Sequence, residues 1–199
     1  MLLSLSHKYI FVANVKSAST SIESTLRTTA EIRIVETRFG KHMTLGQIAQ
    51  RFDWTTKYVR AEDFFVFGVV REPVDLLLSL YNAHTGESLR DKPNPTTGMS
   101  FDQFLEVWLA DNFQGKSQAR RFRDRSGLLR MTHLIDYDSL SEEFAKVCER
   151  LGLGGKRLKH LNISSDTLRR SDLTPAQIAR VEDMYAQDYE LLRKRPRAF

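Results

Sequence analysis

DFFVFGVVREPVDLLLSLYNAH, Asp63 to His84, is the stretch that decides the fold. Its first eight residues hold one charge, at Asp63, and then run apolar without alternation through Val70. A strand half-covered by solvent alternates polar and apolar residues, whereas an unbroken run of this length and β-content fits a strand covered on both faces. Such strands belong to parallel sheets with helices packed on either side. The run stops at Arg71, and Pro73 then stands where a helix tolerates proline, in its first turn. The pattern predicts a strand over Asp63 to Val70 and a helix over Pro73 to His84. Arg71 is thereby set at the carboxyl edge of the sheet, where open α/β sheets bind ligands. A guanidinium there suits bidentate phosphate recognition, and Ser79, two turns into the helix, offers a hydroxyl donor. The same position also fits an arginine paired to a structural carboxylate, Glu72 or Asp75.

A second handover of this kind lies upstream. HKYIFVANV, His7 to Val15, reads as a buried strand, and TSIESTLRTTA, Thr20 to Ala30, places Ile22 and Leu26 at helical spacing. Between them stands Lys16, followed by Ser17, Ser19, Thr20 and Ser21. The first N–H groups of a helix lack partners, and the helix dipole adds partial positive charge there. Lys16, the hydroxyls of Ser19, Thr20 and Ser21, and the small Ala18 would complete a pocket for a tetrahedral anion. The segment is not a Walker A loop: its lysine precedes the hydroxyls, and it contains no glycine. An ordinary serine-capped helix beside an exposed lysine fits the same residues. Two strand-to-helix cations in one sheet favour a single ligand with two anionic ends.

The remaining segments extend the alternation. EIRIVETRF (Glu31 to Phe39) and MTHLIDYDSL (Met131 to Leu140) read as strands, the latter followed by a turn. Helices are expected after the caps Thr44, Ser100 and Thr174, and over SEEFAKVCERLGL up to Gly152. The sum is an α/β fold of three layers, a mainly parallel central sheet flanked by helices, in one domain over residues 1–199. Net charge is +5, which favours an anionic partner. Nucleic acid is not expected, because the aromatic-plus-basic strand pattern of an RNA platform is missing. The single cysteine, Cys148, excludes an internal disulfide and reads as a buried small hydrophobe. No apolar run reaches the roughly 18 residues of a membrane span. MLLSLSHKYIFV turns polar too soon for a signal peptide. A cytoplasmic location is the expectation, unless a native anchor precedes this chain.

KSASTSI after one strand, VVREPVDLLLSLY after a second, and LKHLNIS (Leu158 to Ser164) together resemble the sulfotransferases that use PAPS, 3′-phosphoadenosine-5′-phosphosulfate. Among these the chain is most similar to the carbohydrate and membrane-associated type, in order from about Lys8 to Leu192. IDYDSLSEEFAKVCERLGL and YAQDYELL resemble that family's C-terminal half. The resemblance implies a P-loop-NTPase-like fold and a PAPS co-substrate that leaves as PAP. It implies that Lys16, Ala18, Ser19, Thr20 and Ser21 hold the 5′-phosphosulfate, and that Arg71 and Ser79 hold the 3′-phosphate. Three departures stand out. Ala18 replaces a common glycine, which is tolerable only with a negative φ. Leu76 replaces a second arginine that many members carry, and Asp138 replaces a usual glutamate.

Sulfuryl transfer needs alignment and charge stabilisation more than covalent chemistry from the protein. Lys16 is placed to neutralise charge on the leaving nucleotide. No metal is expected, since the five histidines are scattered and no second cysteine exists. His42, in a glycine-containing turn before a short helix, is the first candidate for a base acting on an acceptor hydroxyl. KHMTLGQI also resembles the family's Lys-His-x-Thr segment. An exposed loop histidine is the other reading. His84 is a candidate acceptor contact and His160 a loop-ordering residue, while His7 and His133 read as structural. The loop Thr85 to Ser100, with Arg90 and Lys92, and the segment Phe113 to Phe122 are candidate acceptor surfaces. The acceptor itself, a glycan or a small metabolite, is left open, as is oligomeric state. A P-loop-like nucleotide or small-molecule kinase is the alternative enzyme, disfavoured by the lysine position and by the lack of a Mg²⁺-holding Asp after a strand. A non-catalytic nucleotide-binding relative is the other alternative.

Overall fold

The computed structural model describes residues 1–86, 94–113, 117–158 and 167–199. The chain forms two compact units: residues 1–71, 118–162 and 191–199 make the first, and residues 72–117 and 163–190 the second.

The first unit is built on a five-stranded sheet. Its strands are β1 (Leu2–Ser4), β2 (Tyr9–Val12), β3 (Ile32–Arg33), β4 (Phe65–Val70) and β5 (His133–Asp136), in the order β3-β1-β2-β4-β5. β2, β4 and β5 pair in parallel, with Val12 opposite Gly68 and Val70 opposite Asp136. β1 runs antiparallel to both of its neighbours, so it alone opposes the common direction. The sheet is therefore mostly parallel.

Helices pack on both faces, because successive residues of the central strands point to opposite sides. On one face Val12, Val66, Val70 and Leu134 meet Leu45 and Ile48 of α2 (Leu45–Arg51) and Ala119 of α6 (Gln118–Arg121). On the other, Phe11, Phe67, Val69 and Ile135 meet Ile22 and Leu26 of α1 (Ser19–Leu26) and Phe144, Val147 and Cys148 of α7 (Leu140–Arg150). All six residues of β4 are buried, as its unbroken apolar run requires. Gly68 sits in the middle of that strand. A Cβ there would lie 2.5 Å from Cε1 of Phe122, which is itself fully buried and cannot swing aside. Gly68→Ala should therefore destabilise the fold by about 1–3 kcal/mol, read as a lower urea midpoint with an unchanged slope.

The second unit holds α3 (Pro73–Asn82), α4 (Phe101–Gln103), a π-helical turn (Phe104–Trp108), α5 (Leu109–Phe113) and α8 (Pro175–Met184). Proline opens α3, as expected. Tyr81 stands edge-on to Phe101 and Phe104. Asn82 accepts from and donates to the Leu168 backbone. α9 (Ala186–Arg193) runs from this unit into the last segment of the first.

Several sequence expectations need correction. The strand expected over His7 to Val15 is confined to Tyr9–Val12, and His7 lies in the turn before it. The strand expected over Glu31 to Phe39 shrinks to Ile32–Arg33, followed by a 3₁₀ turn at Thr37–Phe39. β1 was not anticipated at all. Thr44, Ser100 and Thr174 do cap their helices, each with a reciprocal capping box to a glutamine three residues on.

Candidate functional site

At the carboxyl edge of β2 the chain makes a turn with an unusual backbone. Lys16 and Ala18 both have left-handed φ, 52° and 54°, and Ser17 between them does not. Alternating backbone hand of this kind points successive N–H groups into one concavity, a nest for an anion. The N–H groups of Lys16 through Ser21 have no partner among the described residues; the first helical bond of α1 runs from Ile22 to the Ala18 carbonyl. Ala18, not a serine, is the N-cap, and it supplies no side-chain cap. The serine-capped reading of this turn is thereby overturned. The condition set for alanine here, a negative φ, is not met. A left-handed alanine costs about 1–2 kcal/mol, and strain of this sort is held where the surrounding structure over-determines it.

Lys16 is half-buried rather than exposed, and its side chain has no carboxylate partner among the described residues. Burial lowers its pKa from the ordinary lysine value, and the Arg71 guanidinium lowers it further. The hydroxyls of Ser19 and Ser21 likewise have no partner among the described residues. Thr20 Oγ1 accepts from Lys41 Nζ at 3.1 Å, and Lys41 is held in turn by Glu23 at 2.8 Å.

Arg71 follows β4 directly, one strand over. Its Nη1 donates to the Lys16 carbonyl at 3.0 Å, so the guanidinium stands against the turn that carries the other cation. The guanidinium carbon lies 4.1 Å over the ring of Tyr137, which follows β5. Its buried Nε has no hydrogen-bond partner among the described residues. Arg71 has no carboxylate partner among the described residues. Glu72 caps α3 through Asp75 N and pairs with Arg170 at 3.0 Å, and Asp75 also faces Arg170. Both carboxylates that could have paired with Arg71 thus face Arg170.

His42 stands at the same sheet edge. Its Nδ1 lies 3.1 Å from the Ala13 carbonyl, which can only accept. That contact fixes the proton on Nδ1 and leaves Nε2 as a lone-pair acceptor without a partner among the described residues. Burial first, then the charges of Arg121 and Lys41, lower its pKa to about 4 against a raising contribution from the Ala13 bond. Arg121 Nη1 donates to the His42 carbonyl and ties the loop to α6.

The first unit thus gathers Lys16, Ala18, Ser19, Thr20, Ser21, His42 and Arg71 at the tips of its parallel strands. Ser79 is buried on α3 in the second unit. In that unit His84 Nδ1 lies 2.9 Å from the Leu80 carbonyl, and its ring lies beside Trp108. His133 is buried in β5, as a structural histidine should be. His160, Arg90 and Lys92, with most of LKHLNIS and the middle of the Phe113 to Phe122 segment, lie outside the described residues.

Composition reasoning missed Asn14, Gln118, Lys41 and Tyr137, all of which touch the site. Gln118 and Arg121 are buried within a stretch that reads as basic surface. The signal available for them was position: a short helix bearing an apolar Ala119 and Phe122 must turn its flanking polar residues inward somewhere.

Among the described residues no cluster of histidine, cysteine, aspartate or glutamate is arranged to hold a metal, and no helix is long and apolar enough to cross a membrane. Residues 3–194 match the model of a family described as the sulfotransferase family. No curated protein and no solved structure matches the chain.

Proposed function

We propose a donor and an acceptor for a chain that belongs to the sulfotransferase family: it takes a sulfuryl group from PAPS and passes it to an acceptor hydroxyl, on a carbohydrate or a small metabolite. Family membership supports sulfuryl transfer in general. The observation that carries the finer reading is a pair of neighbouring cations. Two cations, Lys16 and Arg71, stand against one another with no carboxylate partner among the described residues, beside the backbone N–H groups that open α1. Like charges so placed repel, and an anion bound between them removes the repulsion. The fold is one sulfotransferase-like domain with a P-loop-like nucleotide edge.

In this reading the turn Lys16 to Ser21 holds the 5′-phosphosulfate, and Arg71 holds the 3′-phosphate. The acceptor O–H gives its proton to Nε2 of His42 as its oxygen bonds to sulfur. The sulfur–oxygen bond to the phosphate breaks, and the electron pair leaves on PAP, where Lys16 offsets the new charge. A kinase is disfavoured, because Lys16 precedes the hydroxyls of the turn and does not follow a glycine-rich loop.

Calorimetry with PAP and with ATP tests this directly. PAP is expected to bind without metal, and Arg71→Ala to weaken it by about 10²-fold, as loss of a charge-assisted bidentate contact should. A preference for ATP that requires Mg²⁺ would remove the proposal.

A further inference from the structure

β4 ends at Val70, so the main-chain N–H and C=O of Arg71 lie one residue beyond the sheet and would be orphaned. Gln118 replaces the missing strand. Its Oε1 accepts from Arg71 N at 2.9 Å, and its Nε2 donates to Arg71 O at 2.7 Å. Those partners fix the amide's orientation, because a carbonyl only accepts and an N–H only donates. The same Oε1 accepts from Asn14 Nδ2 at 2.8 Å. Asn14 Nδ2 also reaches Ser17 Oγ at 3.1 Å and Val69 O at 3.2 Å, while its Oδ1 caps Val15 N. Both amides are buried, at 3% and 2% exposure.

These contacts close a ring. From Asn14 it passes to Ser17, beside Lys16; from the Lys16 carbonyl to the Arg71 guanidinium; from the Arg71 backbone to Gln118; and from Gln118 back to Asn14. A single side-chain contact would let either cation drift, and mutual repulsion favours drift. A closed, buried circuit holds both ends. Gln118 bonds the Arg71 backbone through both ends of its amide, and Asn14 bonds residues that flank the two cations, Val15, Ser17 and Val69.

We propose that Asn14 and Gln118 are positioning residues that set the spacing of Lys16 and Arg71, and thereby select a ligand with anionic groups at two ends over one with a single anionic group. The inference rests on the donor reading above for the identity of the ligand, but not for the spacing itself.

Two readouts test it on the intact chain. The first compares PAP, with two anionic ends, against 5′-AMP, with one. Gln118→Leu is expected to weaken PAP by tenfold or more and 5′-AMP by less than about threefold, each tenfold step being about 1.4 kcal/mol. Equal weakening of both nucleotides, or none, overturns the inference. The second needs no nucleotide: the titration of Lys16, followed by NMR of its labelled Cε. Releasing Arg71 removes a charge that lowers the Lys16 pKa, so Gln118→Leu should raise it, and an unchanged titration overturns the inference. If Gln118→Leu does not fold, Asn14→Ala cuts the bonds to Val15, Ser17, Val69 and Gln118 while leaving the Gln118 bonds to Arg71. The same directions are expected of it, with a smaller split. Failure of the wild-type chain to bind either nucleotide defeats the donor reading, and the Lys16 titration then decides the spacing alone.

Discussion

Lys16→Ala should lower kcat with PAPS by about 10²–10³, the loss seen when one preorganised donor to a developing oxyanion is removed. The effect is expected mainly in kcat, because the charge that Lys16 meets grows as the sulfur–oxygen bond breaks. The backbone nest and the hydroxyls of Ser19 and Ser21 persist in the variant, so PAP affinity should fall much less than turnover. Stability should move the other way. The Lys16 ammonium is partly desolvated, has no carboxylate partner among the described residues, and stands near a second cation. Removing it relieves both costs, so the thermal midpoint of Lys16→Ala is expected to equal or exceed that of the wild type. A loss of activity that follows a lowered midpoint would instead mark Lys16 as structural.

The parts of this arrangement visible in the sequence are those fixed by local rules. Phe64 to Val70 admits only a strand covered on both faces, and Arg71 after it follows as an edge residue. Thr44, Ser100 and Thr174 each stand three residues before a glutamine, which is a local signature and holds in all three helices. The parts not visible depend on residues distant in the chain. β1 spans three residues, and its place is set by Phe11 and Arg33 across the ladders rather than by its own pattern. Glu31 to Phe39 alternates over a full strand length, but among the described residues its ladder partner is that same short β1, and pairing ends at Arg33. Ile34 donates instead to the Met1 carbonyl. Ala18 shows why a missing glycine is a poor sign: the left-handed turn is retained at an energetic cost, and the cost is local to the anion nest. Gln118 is the extreme case. Nothing near it in sequence distinguishes it from the arginines that follow, and its role arises because a strand 47 residues upstream ends one residue too soon.

His42→Ala should cost about 10²–10⁴ in kcat if its Nε2 takes the acceptor proton, and the pH profile separates that role from a structural one. The free chain holds His42 neutral down to about 4, because burial and the nearby Arg121 and Lys41 oppose a third positive charge. The profile of kcat/KM for the donor reports the free enzyme, so its acid limb belongs near about 4 and not at the ordinary 6.5. Bound donor brings negative charge to the same edge, which favours the imidazolium, so the limb in kcat should lie higher than the limb in kcat/KM. A base with so low a resting pKa is weak until the donor arrives, and the acceptor is then activated only in the loaded site. The same depressed pKa carries a stability consequence of definite sign. The unfolded chain binds the proton first as pH falls, so the stability contributed by neutral His42 is complete above about 6.5 and is lost as pH falls through about 4. His133 also has a lowered pKa, from burial ahead of its attraction to Glu143, and contributes in the same direction. The comparison must therefore be made between the wild type and His42→Gln. The variant should lose less stability across that window, and its residual activity should show no acid limb near about 4. A limb that survives in His42→Gln would assign the proton transfer to another group.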